Sequence, residues 1–286
     1  MVNKNSKVLS VSHNDLDGIG CQILLANYFT NISFYNWSYY EIDERFPYIN
    51  FDEYDYVIVS DISPTNHDLL KHPKIIYLDH HESAIDVHCP EENRFVNLSM
   101  CGTKIVFKWL DKNFDFDVEK FNTLVELVND YDMWILSNPF SWDLNCLFQK
   151  YREKDFYERF LYGDLKFTPE EIEYIQSQKD IVDKTYSELE CIDLPSINGV
   201  FFYATDWLND LCHRKLKDGY NYAFCYNLKR NTISIRSNTE LNLGVMLREI
   251  ECGGGHKQAS GTIQVSGDEI PKMVEKICER INMDSR

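Results

Sequence analysis

The sequence predicts an α/β protein: an N-terminal parallel sheet with helices on both faces, and a smaller C-terminal α/β domain joined to it by a helical linker. Three observations carry this. β-type apolar runs at 8–12, 56–60 and 75–78 alternate with helical stretches, the pattern of βαβ units. A helix opens at Thr168-Pro169-Glu170-Glu171, with a capping residue, proline at its first position and glutamate at its third. Past Leu194-Pro195 a new rhythm of strands and helices begins. The expected layout is a first domain at 1–167, a connector at 168–195 and a second domain at 196–286. A chain of 286 residues, 44% of them apolar, can fill two such cores.

Taken in order, Val8-Leu9-Ser10-Val11-Ser12 reads as a short buried strand leading into His13-Asn14-Asp15-Leu16-Asp17-Gly18. If the chain stays extended there, alternate side chains point one way and His13, Asp15 and Asp17 project together. The other reading of this stretch is a polar turn with a helix N-cap. A helix follows at 21–29 and an aromatic-rich strand at 33–40. The run Tyr56-Val57-Ile58-Val59-Ser60 ends on Asp61, and Ile75-Ile76-Tyr77-Leu78 ends on Asp79-His80-His81. Three strands therefore end on metal-ligating residue types, at the carboxyl edge where parallel sheets bind ligands. Helices are expected at 105–110, with Thr103 near the N-terminus, at 118–128, running into Asn129-Asp130-Tyr131-Asp132-Met133-Trp134, and at 140–163. The capped helix should run from 168 to about 190. Beyond it, strands fall at 200–203, 222–228, 232–237 and 262–265, and helices at 207–216, 243–250 and 270–281.

Charge narrows the function. Asp and Glu outnumber Lys and Arg by 46 to 29, for a net charge of −17, and there is no basic run. Long nucleic acid needs a basic track that neutralises many phosphates, so tight binding of duplex or long single strands is not expected. A small anionic substrate remains compatible, because bound cations invert the local field. The 9 cysteines are scattered singly with no C-x-x-C pair, which fits reduced thiols and a cytoplasmic protein rather than disulfides or a thiolate zinc site. No secretory signal or membrane-length apolar run is present in the sequence.

His13, Asp15, Asp17, Asp61, His80 and Asp132 offer two imidazoles and four carboxylates without a thiolate. Such a set suits Mn²⁺, with Mg²⁺, Co²⁺ or Zn²⁺ as alternatives. Six ligands fit two ions about 3.5–4 Å apart with one shared carboxylate. The competing reading is three independent turns with capping aspartates. Asp79 is placed to orient a neighbouring imidazole, and His81 to contact a phosphate. Gly253-Gly254-Gly255-His256 can cradle an anion with backbone amides and an imidazole, and Arg236 can grip a phosphate with two donors. A flexible glycine loop and an ordinary surface arginine are the plainer readings.

In chain order these motifs resemble the DHH phosphoesterase family over nearly the whole chain. Leu78-Asp79-His80-His81 resembles the motif that names the family, Ser12-His13-Asn14-Asp15-Leu16-Asp17-Gly18 its first motif and Ser60-Asp61-Ile62-Ser63 its second. Tyr131-Asp132-Met133-Trp134 is similar to the last acidic motif of the branch that includes bacterial nanoRNases. The stretch Gly253-Gly254-Gly255-His256-Lys257-Gln258-Ala259-Ser260-Gly261 resembles the signature of the C-terminal domain that accompanies DHH domains.

The resemblance implies two Mn²⁺ ions, with Mg²⁺ or Co²⁺ as alternatives, and hydrolysis of phosphoester bonds. Carried over, His13 and Asp15 bind one ion, Asp17, His80 and Asp132 the other, and Asp61 bridges. The last ligand lies two residues before the tryptophan, which selects Asp132 over Asp130. Arg236 and His256 match phosphate contacts of the C-terminal domain, and Thr103 falls where the family often has a hydroxyl facing the substrate. The expected catalytic residues are Asp61, His80 and His81. The expected activity is hydrolysis of very short oligonucleotides, RNA or DNA, to mononucleotides by a metal-bridging hydroxide. Alternatives are a cyclic (di)nucleotide phosphodiesterase, a single-strand exonuclease, a 3′-phosphoadenosine phosphate phosphatase, or a non-catalytic nucleotide-binding module. No membrane partner is expected, and a homodimer is compatible with the sequence.

Overall fold

The computed structural model describes residues 2–255 and 257–284, so His256 lies outside the described residues. The chain divides into two compact units, with the boundary between Ile175 and Gln176.

In the first unit, β1 (Lys7–His13), β2 (Asn31–Trp37), β3 (Tyr56–Ser60), β4 (Ile75–Asp79) and β5 (Arg94–Val96) form a parallel sheet in the order β2-β1-β3-β4-β5. The chain goes from β1 to β2 on one side, then returns to set β3 on the other. That reversal opens a crevice at the carboxyl ends of β1 and β3, where doubly wound sheets bind ligands. The helices are α1 (Leu16–Tyr28), α2 (Tyr39–Arg45), α3 (Gly102–Asn113), α4 (Val118–Asp132) and α5 (Pro139–Phe160). Leu9, Val11, Val57, Val59, Ile75 and Tyr77 share one face of the sheet and pack with Ile42 and Phe46 in and after α2. The alternate residues Ser10, Ile58 and Leu78 turn to the other face, where α1 packs against β1 and α3 against β3 and β4. Fully burying a large aliphatic side chain contributes about 1.5–3 kcal/mol, so this two-sided packing is what fixes the strand ends.

Several expectations are corrected. The crossover from β3 to β4 holds only a 3-10 turn, His67–Lys71, because Pro64 breaks the chain and the segment is too short and polar for a helix. The three-residue β5 was not expected, being too short to carry a pattern. α5 is kinked at Arg152, whose φ is 62°.

α6 (Pro169–Ser187) begins as the sequence predicts. Glu171 N–H donates to Thr168 Oγ1 at 3.2 Å, and Thr168 N–H donates to Glu171 Oε2 at 2.6 Å, the reciprocal bonds of a capping box. It ends at Ser187, close to the expected end near 190, and β6 (Cys191–Leu194) follows.

The second unit continues with β7 (Gly199–Ala204), α7 (Leu208–Lys217), β8 (Tyr222–Asn227), β9 (Thr232–Ser237), α8 (Leu243–Glu249), β10 (Gly253–Gly255), β11 (Ala259–Thr262) and α9 (Ile270–Asp284). Its sheet order is β10-β11-β9-β8-β7-β6, parallel only between β7 and β8. Phe224, Ile235, Leu247 and Ile277 are central to its core. The strand expected at 262–265 lies instead at Ala259–Thr262, because it pairs with the glycine run. Among the described residues no helix is long and apolar enough to cross a membrane.

Candidate metal centre

The stretch after β1 resolves both of its readings. Asp15 is the N-cap of α1: its Oδ1 accepts the Gly18 N–H at 3.0 Å, while its Oδ2 lies 2.7 Å from His13 Nδ1. α1 therefore starts at Leu16, and Asp17 stands in its first turn rather than on an extended chain. The expected common projection of His13, Asp15 and Asp17 is thus corrected. Helical rotation turns Asp17 away from the other two and toward α3.

There Asp17 Oδ1 accepts the Thr103 N–H at 2.7 Å and Oδ2 accepts the Gly102 N–H at 2.6 Å. Thr103 Oγ1 donates to the Asp17 carbonyl at 2.6 Å. Thr103 is 0% exposed, so it anchors Asp17 and does not face a substrate, contrary to expectation. Gly102 is required by close approach: a Cβ there would lie 2.7 Å from Asp61 Cβ.

Asp61 follows β3 with φ 59°, a left-handed conformation that is costly for a residue with a Cβ and concentrates at functional sites. Its N–H donates to the Leu78 carbonyl at 3.0 Å. Its carboxylate is 3.1 Å from His80 Nε2 through Oδ1, and its Oδ2 is buried without a hydrogen-bond partner. His80 Nε2 is also 3.6 Å from Asp132 Oδ2 and 3.7 Å from Asp17 Oδ2. Three carboxylates thus converge on one imidazole nitrogen, and only Asp61 is within hydrogen-bond distance of it. Asp132 Oδ2 likewise is buried without a hydrogen bond.

Besides a group of Asp61, Asp79, His80 and His81, the arrangement forms two triads. Ligand atoms of His13, Asp15 and Asp61 lie within 4.8 Å of one another, as do those of Asp17, His80 and Asp132. Burial, reinforced by Asp17 and Asp15, pushes the Asp61 and Asp132 carboxyls well above the usual carboxylate range. Burial opposes the Asp15 charge too, but His13 outweighs it and holds that carboxyl low. Burial, together with His81, depresses His80. The thiols of Cys21 and Cys101 are raised mainly by burial and stay protonated, so no soft ligand competes. Neither triad contains a lysine or arginine, and their oxygen and imidazole donors fit a hard divalent cation.

Asp79 is fully buried and holds His81. Its Oδ2 accepts from the Tyr77 hydroxyl at 2.5 Å, and its Oδ1 accepts from His80 N–H at 2.7 Å and lies 2.7 Å from His81 Nδ1. Burial works against its charge, yet His81 and these bonds hold its pKa at about 2. Asp130 is engaged elsewhere: it accepts from Ser137 N–H, Ser137 Oγ and Asn138 N–H at 3.0, 2.6 and 3.2 Å, tying down the turn after α4. Asp132 is the one that reaches the cluster.

Tyr39 was not singled out from the sequence. It bonds His81 and packs on His13, but its only sequence signal is an exposed aromatic behind a capping serine.

In the second unit, Arg236 on β9 donates to the Ile235 carbonyl at 3.1 Å and to Asn209 Oδ1 at 2.5 Å. Gly253, Gly254 and Gly255 form an edge strand, with a Cβ at Gly253 barred 2.0 Å from the Gly261 carbonyl oxygen. Successive amides of a strand point to opposite sides, and His256, the other residue expected at this anion site, lies outside the described residues.

Comparison with known proteins agrees with this architecture. Residues 7–129 match the DHH family, N-terminal domain. A 3′,5′-cyclic-nucleotide phosphodiesterase from Helicobacter pylori is 32% identical over 153 residues, covering 45% of this chain and only 44% of that protein. A solved exonuclease RecJ bound to manganese has a TM-score of 0.62 at 13% identity, covering 97% of this chain and 90% of that one. A pGpG-specific phosphodiesterase from Vibrio cholerae has a TM-score of 0.59 at 13% identity, covering 97% and 100%. At such identities the structural likeness is one of fold.

Proposed function

We propose, starting from a chain whose residues 7–129 form a DHH family N-terminal domain, that this protein is a metal-dependent phosphodiesterase cutting very short oligonucleotides to mononucleotides. The observation that carries the reading is the Asp61 carboxylate, buried with an unpaired oxygen where the two triads meet. Left alone, an unsatisfied buried acceptor costs about 1–3 kcal/mol, and more when charged.

In this reading His13 and Asp15 would hold one Mn²⁺, Asp17, His80 and Asp132 would hold a second, and Asp61 would serve both. Mg²⁺ or Co²⁺ would suit the same donors. Two such ions, when bound, supply an activated water near neutral pH and neutralise charge on the phosphoryl oxygens. The chain's own residues do the rest. The first amides of α3 hold the Asp17 carboxylate in place. Asp79 accepts a hydrogen bond from His81 Nδ1–H and so orients that imidazole. Arg236 is the candidate for a further phosphate contact.

Two facts support short substrates. The net charge of −17 disfavours a long polyanion. One structural neighbour is named for pGpG, a dinucleotide. A second reading, a cyclic-nucleotide phosphodiesterase, is favoured by the relative at 32% identity.

The test is a length panel: labelled RNA and DNA from dinucleotides upward, pGpG and a 3′,5′-cyclic nucleotide, each with Mn²⁺ and with products identified. Dinucleotides should be cut fastest, to mononucleotides. Faster cutting of long strands refutes the proposal, and turnover of the cyclic nucleotide alone selects the second reading.

A further inference from the structure

We propose that Tyr39 is a positioning residue of this reaction, a clamp that holds His81 by its hydroxyl and His13 by its ring. The inference rests on the phosphodiesterase reading. β2 pairs with β1 so that Trp37 stands opposite His13, which brings the start of α2 to the carboxyl edge of the sheet. Ser38 and Glu41 close a capping box, with bonds of 3.3 Å and 3.0 Å, and this fixes the backbone at Tyr39.

The side chain is 49% exposed, so it fills no core, yet it makes two directed contacts. Its hydroxyl is 2.9 Å from His81 Nε2. Its ring centroid is 4.9 Å from that of His13, tilted by 44°, and 6.1 Å from that of His81, edge-on.

The hydroxyl contact completes a chain of hydrogen bonds. Tyr77 donates to Asp79 Oδ2, His81 Nδ1–H donates to Asp79 Oδ1, and the Tyr39 hydroxyl is hydrogen-bonded to the remaining His81 nitrogen. An imidazole held at one nitrogen can still swing about that bond, whereas one held at both has its plane and tautomer fixed. The neighbouring Tyr40 shows what an uninvolved phenol does here: it is 71% exposed and bonds Glu44 within its own helix at 3.0 Å.

Tyr39→Phe keeps the ring on His13 and removes only the hydroxyl. Partners of this kind are worth about 10–100-fold in activity or metal affinity. Tyr39→Phe should therefore lower kcat about tenfold on the best substrate of the panel, with KM, melting temperature and Mn²⁺ affinity unchanged. It should also shift the His81 side-chain ¹⁵N resonances. Tyr39→Leu should in addition weaken Mn²⁺ binding, measured by calorimetry, about tenfold through His13. Tyr40→Phe should change none of these.

A Tyr39→Phe protein with wild-type kcat and unshifted His81 resonances overturns the hydroxyl's role. Wild-type Mn²⁺ affinity in Tyr39→Leu overturns the ring's. If the wild-type protein cuts no phosphodiester at all, the functional reading fails, while the resonance shift still decides whether Tyr39 holds His81.

Discussion

Gly102→Ala adds one methyl group at the first turn of α3, and the structure says where it goes. The new Cβ would lie 2.7 Å from Asp61 Cβ, 3.0 Å from Asp17 Oδ2 and 3.3 Å from Asp61 Cα. Ordinary contact begins at 3.4 Å, so α3 and Asp61 must part by about 0.7 Å. Overpacking of this sort costs about 1–3 kcal/mol, and alanine returns up to about 1 kcal/mol of helix preference, so the net loss of stability should be small. Function should suffer far more. The displaced groups are two carboxylates assigned to hold metal, and the Asp17 carboxylate is held by the very amide that moves. Misplacement by about 1 Å in a reacting centre costs about 100-fold, so kcat/KM should fall about 30–100-fold, or about 2–3 kcal/mol of transition-state stabilisation. The assay pairs steady-state hydrolysis of the preferred short substrate with Mn²⁺ calorimetry and thermal melting. A variant that melts near wild type with unchanged metal affinity and undiminished kcat/KM would refute the close-approach argument.

Asp130 and Asp132 should separate cleanly. Asp132→Ala should abolish Mn²⁺-dependent turnover without lowering the metal-free melting temperature, because it removes a buried carboxylate oxygen that has no hydrogen bond. Asp130→Ala should cost about 1–3 kcal/mol of stability by freeing Ser137 and Asn138, and retain metal binding; equal loss of Mn²⁺ affinity in both would contradict the assignment. Glu171 supplies a pH test. Burial opposes its charge, but Arg159, Thr168 N–H and Tyr151 outweigh it and hold its pKa below the ordinary 4.5. A lowered folded pKa means stability that is complete above the ordinary value and lost as pH falls through the folded one. Glu171→Gln should thus cost about 1–3 kcal/mol at neutral pH, and its melting temperature should converge on wild type as acidification protonates Glu171 below the ordinary carboxylate range; a gap independent of pH would sink the argument.

Much of the site could be read from the chain because strand ends announce themselves. An apolar run that stops on Asp61, or on Asp79-His80-His81, marks a carboxyl edge, and parallel order then brings those edges together. Thr168 and Glu171 likewise declare a helix start through local hydrogen bonds that need no partner elsewhere. Periodicity failed where elements are short or glycine-rich: β5, β6 and β10 have three or four residues, and three glycines carry no side-chain pattern at all.

What the sequence by itself determined is the α/β class, the helix capped by Thr168 and the set of imidazoles and carboxylates able to take a hard metal. These follow from local periodicity, caps and residue chemistry. How that set divides was implied only by the family resemblance, and its physical reason lies in the tertiary structure. α1 starting at Leu16 parts Asp17 from His13 and Asp15, and α3 captures Asp17 through Gly102 and Thr103, about as far along the chain as any local rule can fail to see. The turn after α4 occupies Asp130 and leaves Asp132, and α2 lays Tyr39 over two imidazoles from other strands. Each of these rests on a contact between residues distant in sequence or on the direction of one side chain, and only packing sets those.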